Sequence, residues 1–150
     1  MKKIAADLES LVDVYLPALR NLAEPDLIFK PGPSKWSKKE ILGHLVDSAQ
    51  SNIRRIVVAQ YEETPAIVYD QDKWVAIANY QQYDTKALID LWSYINKHMA
   101  HLLRHASADA ASRTCLTQDV HTLEWLAIDY QLHLRHHIHQ VLDLEPVPYP

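Results

Sequence analysis

The chain has 150 residues, 15 Lys and Arg against 19 Asp and Glu, nine histidines and a formal net charge of -4. That length suits a single domain over residues 1–150 with its own core, and without a sustained basic run the chain lacks the electrostatic footprint that holds phosphate backbones, so nucleic acid is not expected as a partner. A lone cysteine, Cys115, excludes an intramolecular disulfide, and with neither a signal-peptide pattern nor a membrane-length apolar run, no membrane association and a cytoplasmic setting are expected.

Only two glycines, Gly32 and Gly43, interrupt stretches rich in Leu, Ala and Ile, which predicts an all-α chain. Ile4, Leu8, Leu11, Val12, Tyr15 and Leu19 recur at helical spacing and predict a first helix over Lys3–Leu22, kinked or split near its end by Pro17. A loop with three prolines follows from Glu24 to Trp36. Ser37, with Glu40 three residues later, matches a capping box and starts a second helix, Lys38–Gln60. The stretch Glu62–Tyr83 is broken at Pro65 and has room only for a short helix within Asp72–Tyr80. Its apolar and aromatic residues, among them Ile67, Tyr69, Trp74 and Tyr80, are too many for a solvated loop, so it is expected to be ordered as a pocket wall or dimer contact.

Asp84 is placed to cap a third helix, Thr85–His105, with Leu88, Leu91, Trp92, Ile95, Met99, Leu102 and Leu103 on its inward side. Ala106–His121 carries little pattern and reads as a loop with some local structure. Thr122 caps a fourth helix, Leu123–Leu144, which the prolines at 146, 148 and 150 bring to an end. Four amphipathic helices, with a long connection between the second and third, predict a four-helix bundle.

The last helix carries the chemistry. In the run YQLHLRHHIHQV, His133 and His137 stand one turn apart, the spacing of two ligands to one metal ion. With His133 at zero on an ideal wheel, His137 falls at about 40°, Tyr130 at about 60°, Leu134 at about 100° and Ile138 at about 140°. The two histidines therefore flank the core-facing arc, whereas His136 and His139 fall on the solvated side with Asp129 and Arg135. On the second helix, His44, Ser48, Asn52 and Arg55 form a polar seam beside the apolar arc of Leu42, Leu45, Ala49, Ile53 and Ile56. If these seams face one another, His44, His133 and His137 meet, and three protein ligands leave metal positions open for water or substrate.

Other readings stand beside this one. With nine histidines, pairs at this spacing also arise as core-edge or surface residues, and the sequence lacks the more specific HExxH pattern. His98, His101 and His105 repeat the spacing on the third helix but centre on no apolar arc, so they read as a solvated face and a rival site. Trp74 and Trp92 read as core anchors. Cys115, with no helix start beside it, reads as a structural thiol rather than a nucleophile.

The strings KWSKKEILGHLVDSAQSNIRR, EETPAIVYDQDKW and YQLHLRHHIHQV together resemble the DinB superfamily and, within it, the YfiT-like metal-dependent hydrolases. The match runs from about Phe29 to Leu144, with one histidine in HLVDS and an HxxxH pair in the last long helix falling on His44, His133 and His137. The resemblance implies an up-and-down bundle, a nickel or zinc ion on those three histidines, and a homodimer. It also implies no DNA binding despite the family name.

Three functions are consistent with this reading. The first is hydrolysis of a small-molecule substrate, with the metal activating water. The second is S-transfer, in which the metal holds a low-molecular-weight thiol as thiolate and no strong protein base is needed. The third is metal or ligand binding without turnover, in a stress-response role. Asp47 and Asp129 are candidates to support the histidines from behind, and Tyr130, Ser48 and Asn52 to touch substrate.

Overall fold

Most helices start where a side chain satisfies the first unpaired backbone N–H groups. The computed structural model, which describes residues 1–149, contains α1 (Lys2–Arg20), α2 (Glu24–Ile28), α3 (Lys38–Val58), α4 (Gln71–Ala78), α5 (Thr85–His105) and α6 (Leu123–Val141). Before α6 lies a two-stranded antiparallel hairpin, β1 (Thr114–Leu116) and β2 (Val120–Thr122). The capping box is present: Ser37 Oγ accepts from the Glu40 amide at 3.2 Å, and the Glu40 carboxylate accepts from the Ser37 amide at 2.7 Å. Asp84 caps α5 by accepting from Ala87 N at 2.7 Å, and Thr122 caps α6 by accepting from Trp125 N at 3.2 Å. No helix is long and apolar enough to cross a membrane among the described residues.

Two local expectations are corrected, and the local structure of a third segment is defined. α1 runs through Pro17 as one helix, since a missing proline N–H near a helix end removes a single ladder bond. The loop from Glu24 contains α2, with Pro25 in its first turn, where the ring's fixed φ suits helix initiation. The segment Ala106–His121 holds β1, the start of β2 and a short 3₁₀ turn at Ala110–Ser112. Strands of three residues carry too little alternation to be read from sequence.

The four long helices α1, α3, α5 and α6 form the expected bundle. Around it, α1 packs on α5, α5 on α3, α3 on α6, and α6 back on α1. Two of the three chain-consecutive pairs, α1 with α3 and α5 with α6, thus lie across the bundle from each other, which the long connections permit. The main core gathers Leu8, Val12, Leu45, Trp92, Leu103 and Leu134, each essentially inaccessible to solvent. Burial of each such side chain contributes roughly 1.5–3 kcal/mol. A smaller cluster of Ala59, Ile67, Cys115, Leu123 and Leu126 lies beneath the hairpin. Burial there pushes the Cys115 thiol up, away from nucleophilic chemistry. Trp92 is a core anchor as expected. Trp74 is not: it is exposed and stands edge-on to Tyr69, ring centroids 5.4 Å apart.

The connection between α3 and α5 is fastened at both ends. Ile67 N donates to Leu116 O at 2.9 Å and Leu116 N donates to Pro65 O at 3.0 Å, adding one parallel bridge to the hairpin. At the other end the Tyr80 ring lies directly on the α3 backbone at Gly43, where an added Cβ would come within 2.1 Å of it. The Tyr80 hydroxyl then donates to Asp47 Oδ1 at 2.5 Å.

Candidate metal centre

The α3–α6 contact turns two of the three candidate histidines tip to tip, with His44 Nε2 and His133 Nε2 3.0 Å apart. The His137 ring centroid lies 5.2 Å from that of His44 and 4.5 Å from that of His133. One nitrogen from each of the three lies within 4.8 Å of the others, the one such histidine, cysteine or carboxylate grouping among the described residues.

Burial favours the neutral form of all three imidazoles. It pulls His44 down from its ordinary pKa to about 4, helped by the neighbouring charge of His137. Burial first, then His137, His44 and His136, pulls His133 down to about 2. His137 is lowered too, by burial and against its bond to Gln140. Trp36, with its ring centroid 5.0 Å from that of His44, supplies part of the apolar wall. These are the conditions a divalent ion wants, since imidazole binds metal in its neutral form. His137 Nδ1 donates to Gln140 Oε1 at 2.8 Å, which leaves its Nε2 lone pair for a ligand. Nδ1 of His44 and of His133 are buried without a partner, so the carboxylate or carbonyl that usually steadies a ligating imidazole from behind is missing at both. The rival histidines, His98, His101 and His105, are exposed on α5. His105 Nδ1 lies 2.9 Å from His101 O and the two rings are 4.3 Å apart, but they join no metal-ligating group.

The two aspartate candidates sit differently from expectation. Asp47 is buried beneath Tyr80, with burial raising its pKa against that hydrogen bond, and supports no imidazole. Asp129 also leaves the histidines alone: Tyr149 Oη lies 3.0 and 3.1 Å from its two carboxylate oxygens. Tyr130 is buried, its hydroxyl donating to Asn96 Oδ1 at 2.6 Å, and it also lines the cavity beside His133 and His137. Ser48 and Asn52 do line the cavity beside His133 and His137, with Asn52 Nδ2 donating to Ser48 O at 3.0 Å. His136 and His139 are half-buried rather than solvated. The chain reverses after α6 at Asp143, whose φ is 52°, and runs back along the helix, bringing Val147 O to 2.7 Å from His136 Nδ1 and Glu145 O to 2.7 Å from His139 Nδ1.

The cavity over the histidines measures about 360 Å³ and shares Arg55, Tyr69, Gln71, Asp129 and Tyr149 with a neighbouring cavity of about 510 Å³. Tyr69 and Gln71 put the long connection into the wall, as its composition led us to expect. Tyr149 was missed. Its only signal is an aromatic residue between two prolines in a tail that otherwise reads as a helix stop.

The fold has known counterparts. Over 148 residues the chain is 25% identical to "Putative metal-dependent hydrolase YfiT" of Bacillus subtilis (strain 168), covering 96% of this chain and 79% of that protein. The solved structure of YfiT from Bacillus subtilis, described as having an unusual four-helix bundle topology, superposes with a TM-score of 0.81 at 24% identity, over 94% of this chain and 83% of that one. A mycothiol-dependent maleylpyruvate isomerase superposes with a TM-score of 0.69 at 17% identity, over the whole of this chain but 65% of the other, longer one. The DinB superfamily model matches residues 7–141, a span that takes in His44, His133 and His137 and nearly all of the bundle that holds them, and the chain belongs to the DinB superfamily.

Proposed function

We propose that this protein is a metal-dependent enzyme acting on a small molecule, with His44, His133 and His137 holding a divalent transition metal: the three imidazoles suit nickel, zinc, copper or iron(II), and the family resemblance implies nickel or zinc among these. The observation that carries the reading is the convergence of three neutral imidazoles within 4.8 Å, two of which, His133 and His137, line a cavity large enough for a small ligand. A metal there would supply Lewis acidity, lowering the pKa of water and polarising a carbonyl, which suits hydrolysis, the activity named for YfiT. The residues around it do the rest. Ser48 and Asn52 offer hydrogen-bonding groups to a substrate beside the histidines, and Tyr69 and Tyr149 narrow the cavity and limit water.

S-transfer is the second reading, and one observation favours it. Asp129 is the sole carboxylate lining the cavity among the described residues, and it is engaged by Tyr149. A thiol, unlike water, needs no strong protein base once a metal binds it, and a thiol-dependent isomerase is among the structural neighbours. The deciding experiment is elemental analysis of protein purified without a nickel column, then a turnover screen on small esters and small electrophiles with and without added thiol. Ester turnover without thiol supports hydrolysis, and turnover that requires thiol supports transfer. Protein that holds no metal and gains no turnover on nickel or zinc addition overturns both.

A further inference from the structure

Three turns along α3 from His44, about 16 Å of helical rise, Arg55 is the one cation that lines both the cavity over the histidines and the larger one beside it. The side chain is half-buried and takes part in none of the ion pairs among the described residues. A guanidinium so placed stays charged, and its withdrawal from water is costly; the carboxylate of Asp129 on the same cavity wall favours that charge but makes no ion pair with it. It is also held in a fixed pose. Nε donates to Ile67 O at 3.1 Å and Nη1 donates to Asn52 Oδ1 at 3.2 Å, while Asn52 is itself tied back to Ser48 O. Those bonds use two of the five N–H donors a guanidinium carries. The remaining donors on Nη1 and Nη2 have no acceptor among the described residues, and the side chain lines the cavity.

We propose that Arg55 is a carboxylate-binding residue: the substrate carries a carboxylate that pairs with the Arg55 guanidinium while its reactive group lies at the three histidines. A planar carboxylate matches the free edge of the fork with two parallel charge-assisted bonds. Because side chains on a helix lean toward its N-terminus, Arg55 reaches back in the direction of His44, and on the order of 10 Å is left between carboxylate and reactive group. The substrate class is therefore a small acid whose reactive carbonyl or electrophilic carbon lies several bonds from its carboxylate. Asp129, the carboxylate that would repel such a ligand, is turned to the hydroxyl of Tyr149, and Asp70 and Asp119 line only the outer cavity.

The substrate class rests on the proposed function only for what the reactive end meets, so the test is run on protein with and without metal. The probes are 3-phenylpropionate and its uncharged isostere 3-phenylpropionamide, titrated into chelator-treated and zinc-loaded protein, with binding followed in wild type and variants alike by the probe's own NMR signals and, in wild type, also by the Arg55 Nε–H resonance. Expected is at least a tenfold preference for the carboxylate in both states, lost in Arg55→Gln and partly kept in Arg55→Lys. Equal binding of the two probes, a preference that survives Arg55→Gln, or one that appears only with zinc overturns the assignment. Tighter binding of inorganic phosphate at the same resonance overturns carboxylate as the ligand class. Should Arg55→Gln fail to fold, by circular dichroism, Arg55→Lys and the wild-type ratio still decide. A chain that binds no metal yet discriminates the probes through Arg55 would sink the metal reading and leave this one standing.

Discussion

Tyr149 stands edge-on to His133, with ring centroids 5.3 Å apart and planes at 68°, while its hydroxyl rests on the carboxylate of Asp129 one turn earlier on α6. A residue beyond the last helix thereby helps to desolvate a candidate metal ligand. Tyr149→Phe should keep the ring in place but loosen the returning tail by about 1 kcal/mol, roughly a fivefold rise in amide hydrogen exchange across residues 144–149. Tyr149→Ala should raise it further. Unchanged exchange in both variants would mean that the Asp129 contact does not hold the tail.

Metal content should follow the converging histidines and ignore those on α5. Elemental analysis of His44→Ala and His137→Ala is expected to show at least a tenfold loss of bound metal, with His101→Ala equal to wild type. Loss in His101→Ala alone would move the site to α5.

Removing metal should leave the bundle standing, because the four long helices bury their apolar faces on each other without it. Helical circular dichroism is expected to persist in excess chelator. Its collapse, reversed by adding metal, would make the ion structural.

The metal-free protein should be acid-sensitive in a defined window. His44 and His133 have folded pKa values of about 4 and about 2, below the ordinary 6.5. Above pH 6.5 both are neutral in either state and stability is full. As pH falls below 6.5 the unfolded chain takes up protons that the folded chain refuses, so stability drops. From pH 6.5 to 5 the loss should be about 1–2 kcal/mol for each imidazole. Urea melts in chelator, repeated on His44→Gln, check this; a pH slope identical in variant and wild type would clear His44 of the effect.

Gly43→Ala should destabilise, although alanine favours a helix over glycine by about 1 kcal/mol. The new methyl would fall 2.1 Å from the Tyr80 ring and force it off α3, at a cost of roughly 1–3 kcal/mol from overpacking. Denaturant melts measure the sign. A more stable variant would show that Tyr80 gives way freely.

What could be read in advance follows physical range. The long helices and three of their caps were legible because amphipathic period and N-cap chemistry act within a few residues, as at Ser37, Asp84 and Thr122. His133 and His137 were legible for the same reason, and His44 through its place on a polar seam and in the family motif. The diagonal order of the helices was not, since amphipathic faces do not name their partners. Nor was the role of Asp129: its acceptor is claimed by Tyr149 only because the backbone turns left-handed at Asp143, a conformation a lone aspartate tolerates but does not announce. Tyr69 reaches the cavity because Ile67 pairs with Leu116, a contact between distant segments that no local pattern encodes.

The contact between His44 and His133 spans 89 residues of chain, and that separation sets a timetable for the site. At roughly 5–20 residues per second, translation delivers His133 about 4–18 s after His44. During that interval the earlier imidazole has no partner on α6 and is at most a weak single ligand. On the proposed metal reading, ion capture would be confined to a chain whose last helix has docked, and loading with metal would mark completed folding rather than guide it.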